Sequence, residues 1–148
     1  MRILFVCSGN TCRSPLAAGI FNVLAERENL PVYAESCGIM AFPSRASELS
    51  IEIAAEYGAD ISMHTARQVN EEIMQVAKYV FCMTESQCLA LRAAFPKYQD
   101  KIFTVADTDI ADPYGGDRSA YERTGKELYN ALKTLIGKLK ERMDDIDD

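Results

Sequence analysis

Four apolar runs of strand length divide the chain: RILFV (2–6), VYAESC (32–37), KYVFCMT (78–84) and KIFTV (101–105). The first is apolar without a break, as a parallel strand covered on both faces would be, and Gly38 ends the second. Between the runs the spacing turns helical. Ser14 and Pro15 read as an N-cap and a first helical position, with Ile20, Phe21, Val23 and Leu24 forming an apolar face up to about Glu28. SELSIEIAAEYG (47–58) predicts a helix that Gly58 ends, and Asn70 caps a second, EEIMQVA (71–77). ESQCLALRAAF (85–95) predicts a third, stopped by Pro96. A polar segment, ADTDIADPYGGD (106–117), then leads into a long amphipathic helix from about Ser119 to Arg142. Tyr121, Leu128, Ala131, Leu132, Leu135 and Leu139 mark its buried stripe, and Gly125 inside it points to close packing. Strands alternate with helices throughout, with no internal repeat, linker or low-complexity tract. The expected architecture is one α/β domain over residues 1–148: a small four-stranded parallel sheet with helices on both faces.

Composition narrows the partners. A net charge of -6 and a pI near 4.9 argue against nucleic acid, because a surface that tracks phosphates needs clustered Lys and Arg. No apolar run approaches bilayer length, and the apolar stretch in MRILFVCSG is too short for a signal-peptide core, so no membrane partner and a cytoplasmic location are expected. The five cysteines (Cys7, Cys12, Cys37, Cys82, Cys88) are odd in number and scattered, which favours reduced thiols. With no CxxC pair and His64 as the only histidine, neither a metal site nor another cofactor is expected. The acidic end, ERMDDIDD, reads as a frayed and solvated tail.

The chemistry concentrates in VCSGNTCRS (6–14), at the carboxyl end of the first strand. In an open α/β sheet, ligands bind at such ends, near the point where strand order reverses. A strand, a glycine-bearing loop and a helix start aim backbone N–H groups at one point, and the helix dipole adds positive potential there. These groups and Arg13 would hold an anion, and they favour thiolate over thiol at Cys7. Five residues separate Cys7 from Arg13, enough to wrap a tetrahedral phosphate that the guanidinium grips through two oxygens. Cys7 would attack phosphorus in line with the leaving group, and Ser14 could hold the sulfur as a phosphoenzyme breaks down.

VCSGNTCRSP resembles the phosphate-binding signature of the low-molecular-weight protein tyrosine phosphatases, Cys-x5-Arg-Ser near the N-terminus. ESCGI (35–39), HTARQV (64–69), FCMTESQ (81–87) and DPYGG (112–116) resemble further segments of that family in its order, so the likeness spans nearly the whole chain. It implies a flavodoxin-like fold, a phosphorylated protein as substrate, and inorganic phosphate or another oxyanion in the loop. It also implies phosphate or substrate contacts from Ser8, Gly9, Asn10, Thr11, Cys12, Ser14 and Tyr114, with Phe42 a further candidate at the entrance. Asp112 is the family's general acid. The reaction requires one, yet Asp107, Asp109 and Asp117 lie close by and only the DPY context selects Asp112. By the same resemblance His64 and Ser36 support the loop, holding Asn10 in a left-handed conformation. In some members the loop cysteines form a reversible disulfide, so Cys12 is either a partner for Cys7 or a small residue filling space.

Phosphotyrosine-selective members usually carry Ile at the position of Thr11 and a second aromatic at that of Gly115. Thr11 and DPYGG resemble instead the bacterial protein arginine phosphatase branch, which makes phosphoarginine the expected substrate and phosphotyrosine the alternative. Thioredoxin-coupled arsenate reductases share the fold and loop, and Cys82 and Cys88 could serve as their relay thiols. Against that, Cys82 lies in an apolar strand, and the tyrosine after Asp-Pro is a phosphatase feature. A non-catalytic phosphate binder would need neither Cys7 nor Asp112.

Overall fold

The first apolar run becomes an interior strand with neighbours on both sides. In the computed structural model, which describes residues 1–147, β1 (Arg2–Cys7) is followed by α1 (Arg13–Arg27), β2 (Tyr33–Gly38), α2 (Glu48–Glu56) and α3 (Glu71–Val76). Then come β3 (Tyr79–Cys82), α4 (Glu85–Ala94), a 3-10 turn (Pro96–Lys101), β4 (Ile102–Thr104) and α5 (Arg118–Asp147). The four strands pair in parallel in the order β2-β1-β3-β4, with Phe5 opposite both Ser36 and Phe81. The chain leaves β1 for β2 on one side and returns to β3 on the other, so strand order reverses beside β1. This reversal opens a crevice at the carboxyl end of β1.

Alternation along the strands explains two cores. Ile3 and Phe5 face α1 and α5, with the Phe5 ring 5.6 Å from Phe21 and 5.9 Å from Phe81. Leu4, Val6, Val80, Cys82 and Ile102 face the opposite way, against Met74, Cys88 and Leu91 from α3 and α4. The four-stranded parallel sheet with helices on both faces is therefore the observed architecture.

Several local signals act where the pattern put them. Asn70 accepts from the Ile73 N–H at 2.9 Å, and Gly58 takes φ 84 just past α2. A Cβ on Gly125 would lie 2.7 Å from Ile53, so that glycine lets α5 seat against α2. Others differ. Ser14 does not cap α1: the helix starts one residue earlier, at Arg13, with Cys12 in the cap position and no side-chain cap. The Ser14 hydroxyl is turned inward to Cys7 and Asn10 instead. Strand β3 ends at Cys82: the Met83 N–H is shared between the Val6 carbonyl of β1 and Gln87 Oε1, and Thr84 turns away to donate to Gln87 and cap α4. Pro96 stops α4 but opens the 3-10 turn. The acidic end expected to fray is helical through Asp147, and Asp148 lies outside the described residues. No described helix is long and apolar enough to cross a membrane.

Candidate active site

Cys7 closes β1 with 2% of its surface exposed. Its Sγ accepts the Asn10 backbone N–H at 3.3 Å and lies 2.9 Å from the Ser14 hydroxyl. The Asn10 N–H points its positive end at the sulfur, and the Ser14 hydroxyl stands beside it.

Asn10 sits at φ 59, a left-handed conformation that is tolerable here because every polar atom of the residue is engaged. Its side-chain amide donates to Ser14 at 2.8 Å and to Ser36 at 3.0 Å, and its Oδ1 accepts from the Arg67 backbone N–H at 3.0 Å. The carbonyl meets His64 Nε2 at 2.8 Å. Burial holds His64 below the ordinary histidine value, so the ring is neutral at pH 7 and its proton must lie on Nε2, facing that carbonyl. Gly38 completes the support: a Cβ there would lie 2.6 Å from the Ser8 carbonyl.

Arg13, 5% exposed, donates Nη1 to the Ile110 carbonyl at 2.9 Å and brings Nη2 to 3.6 Å from Asp112 Oδ2. The segment that carries Ile110 and Asp112 thus meets the loop after β1 through Arg13. The other aspartates have other partners: Asp109 accepts from the Glu85 N–H at 2.9 Å where α4 begins, Asp117 accepts from Ala120 N–H at 3.1 Å where α5 begins, and Asp107 lines a separate groove beside β4. Asp112 lines the pocket, its Oδ1 accepting from the Tyr114 N–H at 3.1 Å in an Asp-Pro turn that holds the carboxylate at the mouth.

The pocket measures about 330 Å³ and is lined by Cys7, Asp112 and loop residues Gly9, Asn10, Thr11, Cys12 and Arg13. Met40, Phe42, Ser44 and Tyr114 form its mouth, with Phe42 and Tyr114 each 75% exposed. Ser8 points aside, its hydroxyl accepting from Gln87 Nε2 at 3.1 Å. Ser14 and Ser36 lie among the loop's supports, bonded to Asn10.

Cys12, 4% exposed, is surrounded by hydroxyls: Tyr121 at 3.4 Å, Ser47 at 3.5 Å and Thr11 at 3.7 Å. All five cysteines are free thiols. Burial and then the bond to Cys12 push the Tyr121 hydroxyl up to about 12, so it remains a donor. Burial pushes the Cys37 thiol up to about 12, and its neighbour Cys88 together with burial push Cys82 up as well. Cys82 and Cys88 are wholly enclosed in the second core. Among the described residues no three His, Cys, Asp or Glu side chains converge as a metal site would need.

Sequence reasoning missed Arg67, Gln87, Ser47, Tyr121, Met40 and the Ile110 carbonyl. Gln87 had a local signal, the Thr-x-x-Gln spacing of a capping box ahead of an apolar run, and Arg67 stood within HTARQV, one of the segments that resemble the family.

A family model described as low molecular weight phosphotyrosine protein phosphatase matches residues 2–145. The chain belongs to that family and is a protein phosphatase. It is similar to a protein-arginine-phosphatase of Bacillus subtilis, 37% identical over 95% of this chain and 97% of the relative. Among solved structures, a low molecular weight protein tyrosine phosphatase from T. tengcongensis superimposes with a TM-score of 0.90 at 41% identity, over 93% of this chain and 99% of that one. An arginine phosphatase solved as a Cys-to-Ser mutant with a phosphorylated active-site serine gives a TM-score of 0.91 at 36% identity, over 95% of this chain and 96% of that one.

Proposed function

We propose that the chain is a one-domain cytoplasmic protein arginine phosphatase that works through a phosphocysteine on Cys7, with neither nucleic acid nor membrane as a partner. One observation carries the reading: a buried thiol that accepts a backbone N–H and touches a hydroxyl, a buried arginine and a half-exposed carboxylate share one small pocket. The free state of all five thiols fits a reducing compartment.

In the first step the Cys7 thiolate attacks phosphorus. The S–P bond forms as the P–N bond breaks, and Asp112 gives its proton to the departing guanidine nitrogen. Arg13 and the amides of the loop offset the charge on the phosphoryl oxygens. In the second step Asp112, now a carboxylate, takes a proton from water as the oxygen bonds to phosphorus. The S–P bond breaks, phosphate leaves, and Ser14 with the Asn10 N–H receives the returning thiolate. The relative whose active-site serine carries a phosphoryl group supports a covalent step at this position.

Three features favour phosphoarginine: the likeness to the Bacillus subtilis enzyme, the Thr11 hydroxyl at the pocket wall, and Gly115. At φ 80 Gly115 occupies backbone that a second aromatic residue would adopt only with strain, so one ring instead of two stands at the mouth. A polar guanidinium needs less apolar wall than a phenol. The second reading, phosphotyrosine, rests on the apolar lip of Met40, Phe42 and Tyr114 and on the likeness to the T. tengcongensis enzyme.

Rates on matched phosphoarginine and phosphotyrosine peptides separate the two. A higher kcat/KM on phosphoarginine is expected, and Thr11→Ile should move the ratio toward phosphotyrosine by about tenfold, the scale of one hydrogen bond. A ratio that favours phosphotyrosine from the start, or that Thr11→Ile leaves unchanged, removes the basis for the arginine assignment.

A further inference from the structure

Helix α5 packs on α1 and α2 and covers Phe81 of β3, but at β4 the same sheet face opens to solvent at Phe103. A groove of about 300 Å³ lies there, between α5 and strands β3 and β4. Its floor is aromatic. Tyr79, Phe81 and Phe103 follow one another across the two strands with ring centroids 6.0 to 6.4 Å apart, and Phe103 is 43% exposed. Aromatic rings on a sheet face of this kind are normally roofed by a helix, so the opening exposes apolar area that water solvates poorly.

The walls are charged in opposite senses at the two ends. Lys138 and Arg142, one turn apart on α5, stand at the end where β3 begins: the Arg142 guanidinium lies 5.7 Å over the Tyr79 ring and donates to its hydroxyl at 2.6 Å. Neither cation forms an ion pair with a side chain of residues 1–144, whereas Arg118 and Lys140 on the same helix do. Asp107 stands at the other end, past β4, and Thr104 and Thr134 also line the groove. A flat apolar floor takes a flat ring, and two cations at one end with a carboxylate at the other fix which way an anionic substituent points.

We propose that this groove is a second ligand site, for a small planar aromatic compound whose anionic group faces Lys138 and Arg142. The volume fits one or two fused rings, at the lower end of small-molecule sites. The site is separate from the phosphatase reading, since none of its lining residues lines the catalytic pocket.

The test uses 2-naphthoate with the phosphate loop filled by saturating vanadate, read by amide NMR shifts of the full chain. Saturable shifts at Phe103 to Asp107 and across 134–142 are expected. Lys138→Gln and the neutral analogue 2-naphthamide should each weaken binding by about tenfold, the scale of one charge-assisted hydrogen bond. Lys138 is exposed and glutamine is a good helix former, so that variant keeps its fold. Phe103→Thr, at an exposed strand position, should weaken both probes alike. Equal affinity for naphthoate and naphthamide, shifts confined to residues 7–14, or no saturation at millimolar probe would overturn the proposal. So would groove shifts produced by raising protein concentration alone, which would put a second copy of the chain there.

Discussion

Two strand-to-helix junctions stand side by side at the carboxyl edge of the sheet, and they are built on opposite plans. At the β3–α4 junction Thr84 accepts from the Gln87 N–H at 3.2 Å while Gln87 accepts from Met83 and Thr84 at 3.0 and 3.1 Å, a reciprocal capping box. Asp109 then takes the Glu85 N–H, so the helix start is closed by its own neighbourhood and one carboxylate. At the β1–α1 junction Cys12 caps nothing, and the hydroxyl and amide side chains that could have capped the helix bond to one another and to Cys7. The loop's shape comes from Ser36, His64 and Arg67, 26 to 57 residues away along the chain. The first plan uses its amides for stability. The second is held in shape from behind, by residues distant in the chain.

The largest effects should therefore come from the open junction. Cys7→Ser should lower turnover by at least ~10⁴-fold while vanadate still binds, because the cradle survives and only the nucleophile is lost. Measurable turnover near the native rate would end the assignment. Next in size is a paired comparison of aspartates. Asp112→Asn should slow substrates with poor leaving groups by about 10²- to 10⁴-fold and those with good leaving groups far less. Asp109→Asn, at the closed junction, should leave that leaving-group dependence alone. If the two variants behave alike, the proton does not come from Asp112.

Smaller effects test the closed junction itself. Thr84→Ala should cost about 1 kcal/mol of stability with kinetics unchanged, read from urea midpoints and kcat/KM. Gln87→Ala removes the acceptor of two backbone amides and the donor to Ser8, so about 1–3 kcal/mol is expected, together with a loss of kcat/KM that Thr84→Ala does not share. Equal kinetics in the two variants would mean that Gln87 stabilises the turn without reaching the loop.

The contrast also explains what the sequence showed. Runs and caps decided within a few residues, such as RILFV, Asn70 with Ile73, and Gly58 after α2, were readable because their causes are local. Ser14 before Pro15 satisfied the same local rule and was misread, because a tertiary partner, Cys7, competes for its hydroxyl. Cys7 and Arg13 stood out as residue types at a spacing that suits a phosphate, and Asp112 only through the resemblance of DPYGG to the family's acid loop. What sets Asp112 apart from Asp107, Asp109 and Asp117 is which of them holds a helix start or lines another groove, and no pattern along the chain carries that. Arg67 supports Asn10 through its backbone N–H, a contact that has no residue signature at all.

The smallest prediction concerns pH and returns to the long-range support of the open junction. The folded value of His64 lies below the ordinary 6.5, chiefly because the ring is buried. Between the two values the unfolded chain binds a proton that the folded chain does not, so stability rises with pH through that window. The contribution is fully present above about pH 6.5 and is lost as pH falls below it. His64 is the only histidine, so a step in the urea midpoint just below that pH belongs to it, and His64→Gln, which keeps a donor for the Asn10 carbonyl, should remove the step. A step that survives in the variant has another source. Protonation adds a proton at Nδ1 and leaves the Nε2–H donor in place, so mild acid should lower the stability of the fold without releasing Asn10. In molecules still folded below pH 6.5, the nucleophile at Cys7 should remain as well placed as it is at pH 7.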